Sequence, residues 1–257
     1  MNPHASCSGV MNRRAAGASA LAFGAGLALV ALSSKAAAAA PPPELMEKLA
    51  VHAAAFEAMR THASFLFDGK LDDLDGDGNC TSKKALNGRV EANGTAARFV
   101  VIKYVEDGED KTDDARRKAR EADEKRKAKT PEEREKEKVP MPFLASEYAK
   151  YTFDEVEVDR ADASRVRIAF VPKAPTEQTI EGSAWVDTKA GTVISAGFKM
   201  SKTPLFIDWI HFTVEFGETT PLGPAISKIT TEGRGGLLFF HKHFVGSAVV
   251  SSYRIVP

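Results

Sequence analysis

Cysteine is nearly absent from this chain of 257 residues, which contains only Cys7 and Cys80. Cys7 lies in an N-terminal stretch that we interpret as a leader, so Cys80 is the only cysteine expected in the mature protein. An internal disulfide is therefore excluded, and the stability of the fold has to come from its apolar core. No cysteine directly follows the apolar run of the leader in a lipobox arrangement, so the sequence predicts no lipid anchor at a new N-terminus.

The chain also lacks the short motifs that mark common catalytic sites. It has no Gly-x-Ser-x-Gly elbow, no phosphate-binding loop and no zinc-binding helix motif. Cys80 has no base beside it in the sequence, which gives little support for a reactive thiolate. Carboxylates are abundant, but none forms a recognisable acid and base pair. We therefore predict no catalytic residues, no cofactor and no metal, and we expect that the protein is not an enzyme.

Acidic residues are missing from the first 43 positions, where Arg13 and Arg14 precede an apolar run rich in Ala, Leu and Gly. This order, followed by small residues, predicts a secretory signal peptide over residues 1–40 and a periplasmic or secreted protein. An uncleaved membrane anchor is the alternative. Beyond the leader, 32 bases face 35 acids, a net charge of −3. This balance provides no basic surface for nucleic acid.

Residues 44–61 carry the strongest helical pattern in the apolar part of the chain. Leu45, Leu49, Phe56 and Met59 recur at helical spacing and predict one buried face. His52 lies near that face, and we interpret it as a packed or surface histidine rather than a ligand.

The rest of the chain is dominated by short alternating patterns that predict strands. Residues 180–200 form the clearest example, a hairpin whose turn contains Asp187 and Gly191. In its second strand, Ile194, Ala196, Phe198 and Met200 are expected on one face and Val193 on the other. The predicted strands are 64–69, 83–90, 96–105, 151–158, 165–171, 182–187, 192–200, 206–216, 225–232, 237–245 and 248–256.

Residues 106–138 differ from everything around them, because 25 of these 33 residues are charged and none is large and apolar. Such a segment cannot bury a core face. Favourable charge pairs four residues apart predict a helix from Asp113, capped by Thr112. Thr130 and Pro131 then predict the start of a second one. We predict a solvated helical insertion between two strands, with an envelope protein partner for residues 106–138 as the sharper alternative.

Two patterns resemble metal sites. Asp73, Asp75 and Asp77 match the front of a calcium loop, but the position that needs a bidentate acid is occupied by Lys84, so we favour a tight turn. His241 and His243 lie two apart in a strand and could bind zinc together with His211. We favour exposed strand histidines instead.

A leader, an amphipathic first helix and antiparallel strands carrying RIAFVPK (residues 167–173) and EGSAWVDTKAGTVISAGFKM (residues 181–200) together resemble the bacterial lipoprotein-carrier superfamily of LolA and LolB type. The resemblance implies an unclosed antiparallel barrel with helices across its mouth. It also implies an apolar cavity for acyl chains.

The fold expected for residues 41–257 is therefore one α+β domain, mainly antiparallel, in which an unclosed curved barrel wraps on the N-terminal helix. The expected function is non-enzymatic binding of a lipid or a lipoprotein acyl chain. An envelope structural or assembly protein without a cavity is the alternative. Aromatic residues at central strand positions either fill the core or line such a cavity. The candidate lining residues are Phe170, Trp185, Phe198, Phe212 and Phe240.

Overall fold

The computed structural model describes residues 39–94, 96–203, 207–237 and 240–256, and it gives the backbone alone for residues 131, 135, 136, 236, 237 and 240–242. The predicted signal peptide lies almost entirely outside these residues. Within the described part, no helix combines the length and the apolar character needed to cross a membrane.

The described strands form a single antiparallel sheet of eleven strands. Their bounds are β1 (Ala63–Leu74), β2 (Cys80–Ala92), β3 (Ala97–Glu106), β4 (Glu109–Asp110), β5 (Tyr151–Val158), β6 (Arg165–Pro172), β7 (Ile180–Asp187), β8 (Thr192–Met200), β9 (Ile207–Thr220), β10 (Gly223–Leu237) and β11 (Phe240–Ile255). The spatial order is β4-β3-β2-β1-β11-β10-β9-β8-β7-β6-β5. Strands β4 and β5 stand at the two ends of this order and do not pair with each other among the described residues, so the curved sheet stays open, as predicted.

Helix α1 (Pro43–His62) lies on the inner face of the sheet. Its proline at the first helical position costs no hydrogen bond, since that backbone group has no partner inside a helix. Leu45, Leu49 and Ala53 are buried among inner-face residues of the sheet. Met59 and Ala63 enter a second buried cluster, which confirms the predicted apolar face of the helix.

The alternation predicted for β9 is confirmed. Ile210, Phe212, Val214 and Phe216 point inward, whereas His211 and its outward neighbours are exposed or half-buried. Strand β6 alternates in the same way and buries Val166, Ile168 and Phe170 on the inner face. Period-two patterning was therefore a sound guide wherever a strand is regular.

The faces predicted for β8 are wrong at its start. Trp185 pairs with Ser195, but Val186 pairs with Val193, so Ile194 is the extra residue of a β-bulge. A bulge reverses the alternation on one side of it. Val193 is consequently 2% exposed and shares the inner face with Ala196, Phe198 and Met200.

The two strands predicted at the C-terminus are one. β11 runs without a break through Gly246, which the sequence pattern favoured as an interruption. A Cβ atom at this glycine would lie 2.9 Å from the Thr231 side chain and 3.0 Å from that of Leu71. The glycine is therefore explained by close packing on the inner face rather than by a turn.

The charged insertion forms α2 (Thr112–Ala128) and the short α3 (Pro131–Lys136). Helix α2 has no buried residue, in agreement with the prediction. Thr130 and Glu133 each accept a hydrogen bond from the other's backbone N–H, which is the predicted capping box. Thr112 does not cap α2, because its hydroxyl bonds to Asp110 and to the backbone of Tyr104 instead.

Helix α2 is not free of the body, because it lies along the edge strand β3. Arg116 donates hydrogen bonds to the carbonyl oxygens of Val101 (3.1 Å) and Ile102 (3.0 Å), and Arg126 donates to that of Ala97. On this side β3 pairs with another strand only at its last two residues. The helix thus covers backbone groups that an exposed edge would offer to other chains.

We expect the double substitution Arg116→Ala and Arg126→Ala to cause self-association. The change uncovers the backbone edge of β3. Two side chains of this strand, Phe99 (36% exposed) and Ile102 (43% exposed), are already accessible in the unmodified protein and add apolar surface to this edge. The loss of stability should be modest, about 1–3 kcal/mol for three partly exposed hydrogen bonds. Sedimentation velocity over a concentration series measures the association.

The matched control is Lys118→Ala with Lys125→Ala, which removes two charges from exposed positions of the same helix. This control should stay at the mass of the unmodified protein. Equal behaviour of the two double variants would contradict a protective role for α2.

Candidate functional site

The candidate site is an apolar cavity beneath the C-terminal half of α1. It has a volume of about 500 Å³. Three parts of the chain enclose it: α1, the inner face of β6 to β10, and residues 139–147, which we call the strap. The lining residues are Phe56, Glu57, Arg60, Glu137, Val139, Pro140, Met141, Pro142, Phe143, Phe170, Ile180, Val193, Ala196, Phe198, Val214, Phe216 and Ile226.

The lining is almost entirely apolar, and its only charged members are Glu57, Arg60 and Glu137. Arg60 forms an ion pair of 3.1 Å with Glu57, in which both side chains are partly exposed. The charged groups come from the C-terminal half of α1 and from Glu137, two residues before the strap, which places the mouth of the cavity between these two segments.

The strap is held to the sheet by Phe143, which is 2% exposed. Its ring stacks on Phe153 with centroids 5.5 Å apart and meets the edge of Phe170 at 5.9 Å. After the strap, a short 3₁₀ helix (Tyr148–Lys150) brings the Tyr148 hydroxyl to the carbonyl oxygen of Met46 on α1. The strap therefore forms a side of the cavity that α1 alone would leave open.

Helix α1 is fixed against the sheet by the buried side chain of His52. Nδ1 accepts a hydrogen bond of 3.1 Å from the N–H of Val193, and Nε2 donates to the carbonyl oxygen of Pro224 at 3.4 Å. The ring also meets the edge of Phe216 at 5.5 Å. Burial lowers the pKa of His52, partly offset by the bond to Pro224. The packed histidine predicted here is confirmed, and its neutral form is the one that this geometry uses.

The structure brings two of the five predicted lining residues into the cavity wall, Phe170 and Phe198. Phe212 stacks on Phe198 at 5.6 Å from the next strand but lies beyond the lining. Trp185 was wrongly placed, because it lies on the outer face, where the guanidinium of Arg167 sits 5.9 Å from its ring. The Phe240 side chain lies outside the described residues.

Several wall residues were missed, among them Phe56, Met141, Phe143, Val193 and Phe216. Phe143 and Met141 belong to a segment with no periodic pattern, so only its proline and apolar content hinted at burial. Val193 was assigned to the wrong face because the sequence pattern did not reveal the bulge at Ile194. Phe56 and Phe216 had been placed correctly on inward faces, but adjacency between α1 and β9 was not readable from local spacing.

The calcium-like segment is a turn between β1 and β2. One carboxylate oxygen of Asp75 accepts hydrogen bonds from the N–H groups of Asp77 (2.9 Å) and Asn79 (2.8 Å), which holds the turn. Lys84 lies 2.8 Å from a carboxylate oxygen of Asp73, and this contact raises the pKa of the lysine. The ammonium group thus occupies a position where a calcium loop needs an acid.

The histidines considered for zinc do not assemble as a site in the described part of the chain. His243 bonds to Glu232 at 2.9 Å, and His211 lies beside Trp209 on the outer face. The His241 side chain lies outside the described residues. Among the residues that are described, no three His, Cys, Asp or Glu side chains are placed to hold a metal ion.

Comparison with known proteins gives only distant similarities. No protein-family model and no curated protein matches the sequence. A LolA superfamily protein from Nitrosomonas europaea aligns with 11% identity and a TM-score of 0.33, over 85% of this chain and 95% of that one. The complex of MucA and MucB from Pseudomonas aeruginosa aligns with 12% identity and a TM-score of 0.24, over 82% and 99%. TM-scores this low carry no argument about function.

Proposed function

We propose that this chain is a non-enzymatic binding protein of the cell envelope that holds an apolar ligand, such as a lipid or lipoprotein acyl chain, between α1, the strap and the sheet. The observation that carries the proposal is the cavity of about 500 Å³ with its nearly all-apolar lining. Ligand sites usually enclose about 300–1,000 Å³ and combine apolar walls with a few polar groups. The predicted leader supports a location in the cell envelope, and the absence of catalytic motifs supports a function in binding rather than in catalysis.

The alternative was an assembly protein that acts through residues 106–138 and has a filled core. A void beneath α1 is the feature that separates the two hypotheses, and it favours the ligand carrier. Two arginines of α2 also donate their hydrogen bonds to β3 rather than to a partner. A protein partner for residues 106–138 stays a prediction, which rests on the exposed charges of this insertion.

Filling the cavity is expected to abolish ligand binding. Ala196 lines the wall, so Ala196→Trp places a large ring where an acyl chain would lie. The purified protein should bind a fluorescent apolar dye, and the variant should bind it at least about tenfold more weakly, a loss of about 1.4 kcal/mol. Native mass spectrometry of the unmodified protein identifies any lipid that is carried through purification.

The matched control is Ala169→Trp, on the outer face of β6, where β6 pairs with β7. It should bind the dye as the unmodified protein does. Absence of dye binding by the unmodified protein, together with no bound lipid, would remove the proposal. Unchanged binding by Ala196→Trp would show that the dye binds elsewhere.

A further inference from the structure

A second groove adjoins the mouth of the apolar cavity. It has a volume of about 680 Å³ and shares Glu57, Arg60 and Pro140 with the cavity. The lining of the groove contains many more polar and charged side chains than that of the cavity. Its lining residues are Glu57, Arg60, Lys138, Pro140, Leu144, Ser146, Glu147, Ala149, Lys150, Lys173, Ala174, Thr176, Gln178 and Thr179.

The groove carries more positive than negative charge. Its four cationic side chains are those of Arg60, Lys138, Lys150 and Lys173, whereas Glu57 and Glu147 are its only carboxylates. The chain beyond the leader has a net charge of −3, so a local surplus of cations is not a property of the surface as a whole. The surplus lies beside the boundary with the apolar cavity, where Glu57, Arg60 and Pro140 belong to both linings.

Two of these cations keep hydrogen-bond donors for a further acceptor. Lys173 donates to the carbonyl oxygen of Ala149 at 3.0 Å and forms no ion pair within the described residues. Arg60 meets Glu57 through Nη1 alone, and its Nε and Nη2 have no partner in the described part of the chain. Lys150, by contrast, donates hydrogen bonds of 2.8 and 2.9 Å to the two carboxylate oxygens of Glu147.

We propose that the ligand is an anionic amphiphile, whose chain occupies the apolar cavity while its carboxylate or phosphate group lies in the groove against Arg60 and Lys173. This inference rests on the proposed function and specifies the class of ligand. Hydrogen bonds between charged partners are stronger than neutral ones, and a guanidinium presents several donors to an oxyanion. The shared boundary at Arg60 places this charge where a bound chain would emerge.

The test compares four amphiphiles with the same lauryl chain as competitors of the apolar dye. Laurate and lauryl phosphate should compete about tenfold more strongly than lauryl trimethylammonium, with lauryl maltoside between them; tenfold corresponds to about 1.4 kcal/mol. In the double variant Arg60→Gln and Lys173→Gln the preference for anions over lauryl maltoside should vanish. The preference should also weaken as salt is added.

The matched control is Arg234→Gln with Lys199→Gln. Like Arg60, these side chains form partly exposed ion pairs, with Asp208 and Glu181, but they lie on the outer face of the sheet. This variant should keep the preference for anions. Inorganic phosphate serves as a further arm, and we expect it to leave the dye in place.

The outcomes separate the two proposals. Equal competition by anionic, neutral and cationic amphiphiles would overturn the anionic class and leave the carrier function standing. Failure of every amphiphile to compete would remove both. Displacement of the dye by inorganic phosphate as effectively as by lauryl phosphate would make the groove a site for free anions and overturn the amphiphile.

Discussion

Replacing Phe143 with alanine is expected to cost about 3–5 kcal/mol of stability, the usual range for deleting a buried phenylalanine ring. The residue is 2% exposed and contacts Phe153 and Phe170, so the substitution leaves a void that the regular sheet cannot fill by moving. For a domain of this size, 1 kcal/mol shifts the midpoint by about 2–4 °C. Thermal unfolding should therefore show a midpoint lower by roughly 10 °C, and urea unfolding a correspondingly lower free energy of unfolding.

The effect on the strap should exceed the effect on the sheet. Phe143 is the buried anchor of residues 139–147, and the neighbouring Lys138 and Lys150 are sites for trypsin. Cleavage there should be faster in Phe143→Ala under conditions in which the sheet remains folded. The opened wall should also weaken retention of the apolar dye.

Phe99→Ala is the control, because this ring on β3 is 36% exposed. Its loss should cost clearly less, and cleavage at the strap should not change. If the two variants lost equal stability and were cleaved at equal rates, the strap would not depend on Phe143, and the description of the cavity wall would be wrong.

The sequence was informative where structure is periodic. Alternation of apolar residues located β5 and β8 to the residue and predicted the inward set of β9. The reason is physical: a strand of an open sheet with one buried face must repeat every two residues. Helix α1 was found for the equivalent reason at its own period.

The cavity wall was harder to predict, because its members are brought together by tertiary contacts. Local spacing gave no sign that the bulge falls at Ile194, and one extra residue was enough to move Val193 to the inner face. Trp185 was chosen for its central position in a strand, but it pairs with Arg167 on the outer face. The strap has no repeat at all, so the burial of Phe143 depends on the aromatic rings that the sheet offers it.

The structure of the charged insertion could also be predicted only in part. Its composition correctly excluded a buried face, yet composition says nothing about backbone groups on a neighbouring strand. Arg116 and Arg126 are bound by carbonyl oxygens of β3, which are invisible in any hydropathy or charge pattern. A charged helix can therefore belong to the body without burying an apolar residue.

Replacing His52 with phenylalanine is expected to lower stability at pH 7.5 and to remove part of the loss that the protein suffers on acidification. The ring nitrogens of His52 satisfy the N–H of Val193 and the carbonyl oxygen of Pro224 in a buried position. Phenylalanine keeps the ring against Phe216 but leaves both backbone groups without this partner. Each unsatisfied group costs about 1–3 kcal/mol.

The pH dependence follows from the lowered pKa of His52 in the folded state. In the unfolded chain the imidazole has a pKa of about 6.5. As the pH falls below that value, the unfolded state takes up a proton that the folded state still excludes, so stability is lost from about pH 6.5 down to the lower folded pKa. Protonation also ends the acceptor role of Nδ1 toward Val193. The position of α1 over the cavity is therefore coupled to the charge of one buried ring.

Urea unfolding at pH 7.5 and 5.5 measures the effect as a difference of differences. The unmodified protein and the control His211→Phe, whose histidine is exposed on the outer face of β9, should lose more stability between these two pH values than His52→Phe does. Carboxylates contribute the same acid sensitivity to all three proteins, so their effect cancels in the comparison. An identical pH dependence in His52→Phe would mean that the ring titrates alike in the folded and unfolded states, and it would contradict the coupling between α1 and the charge of His52.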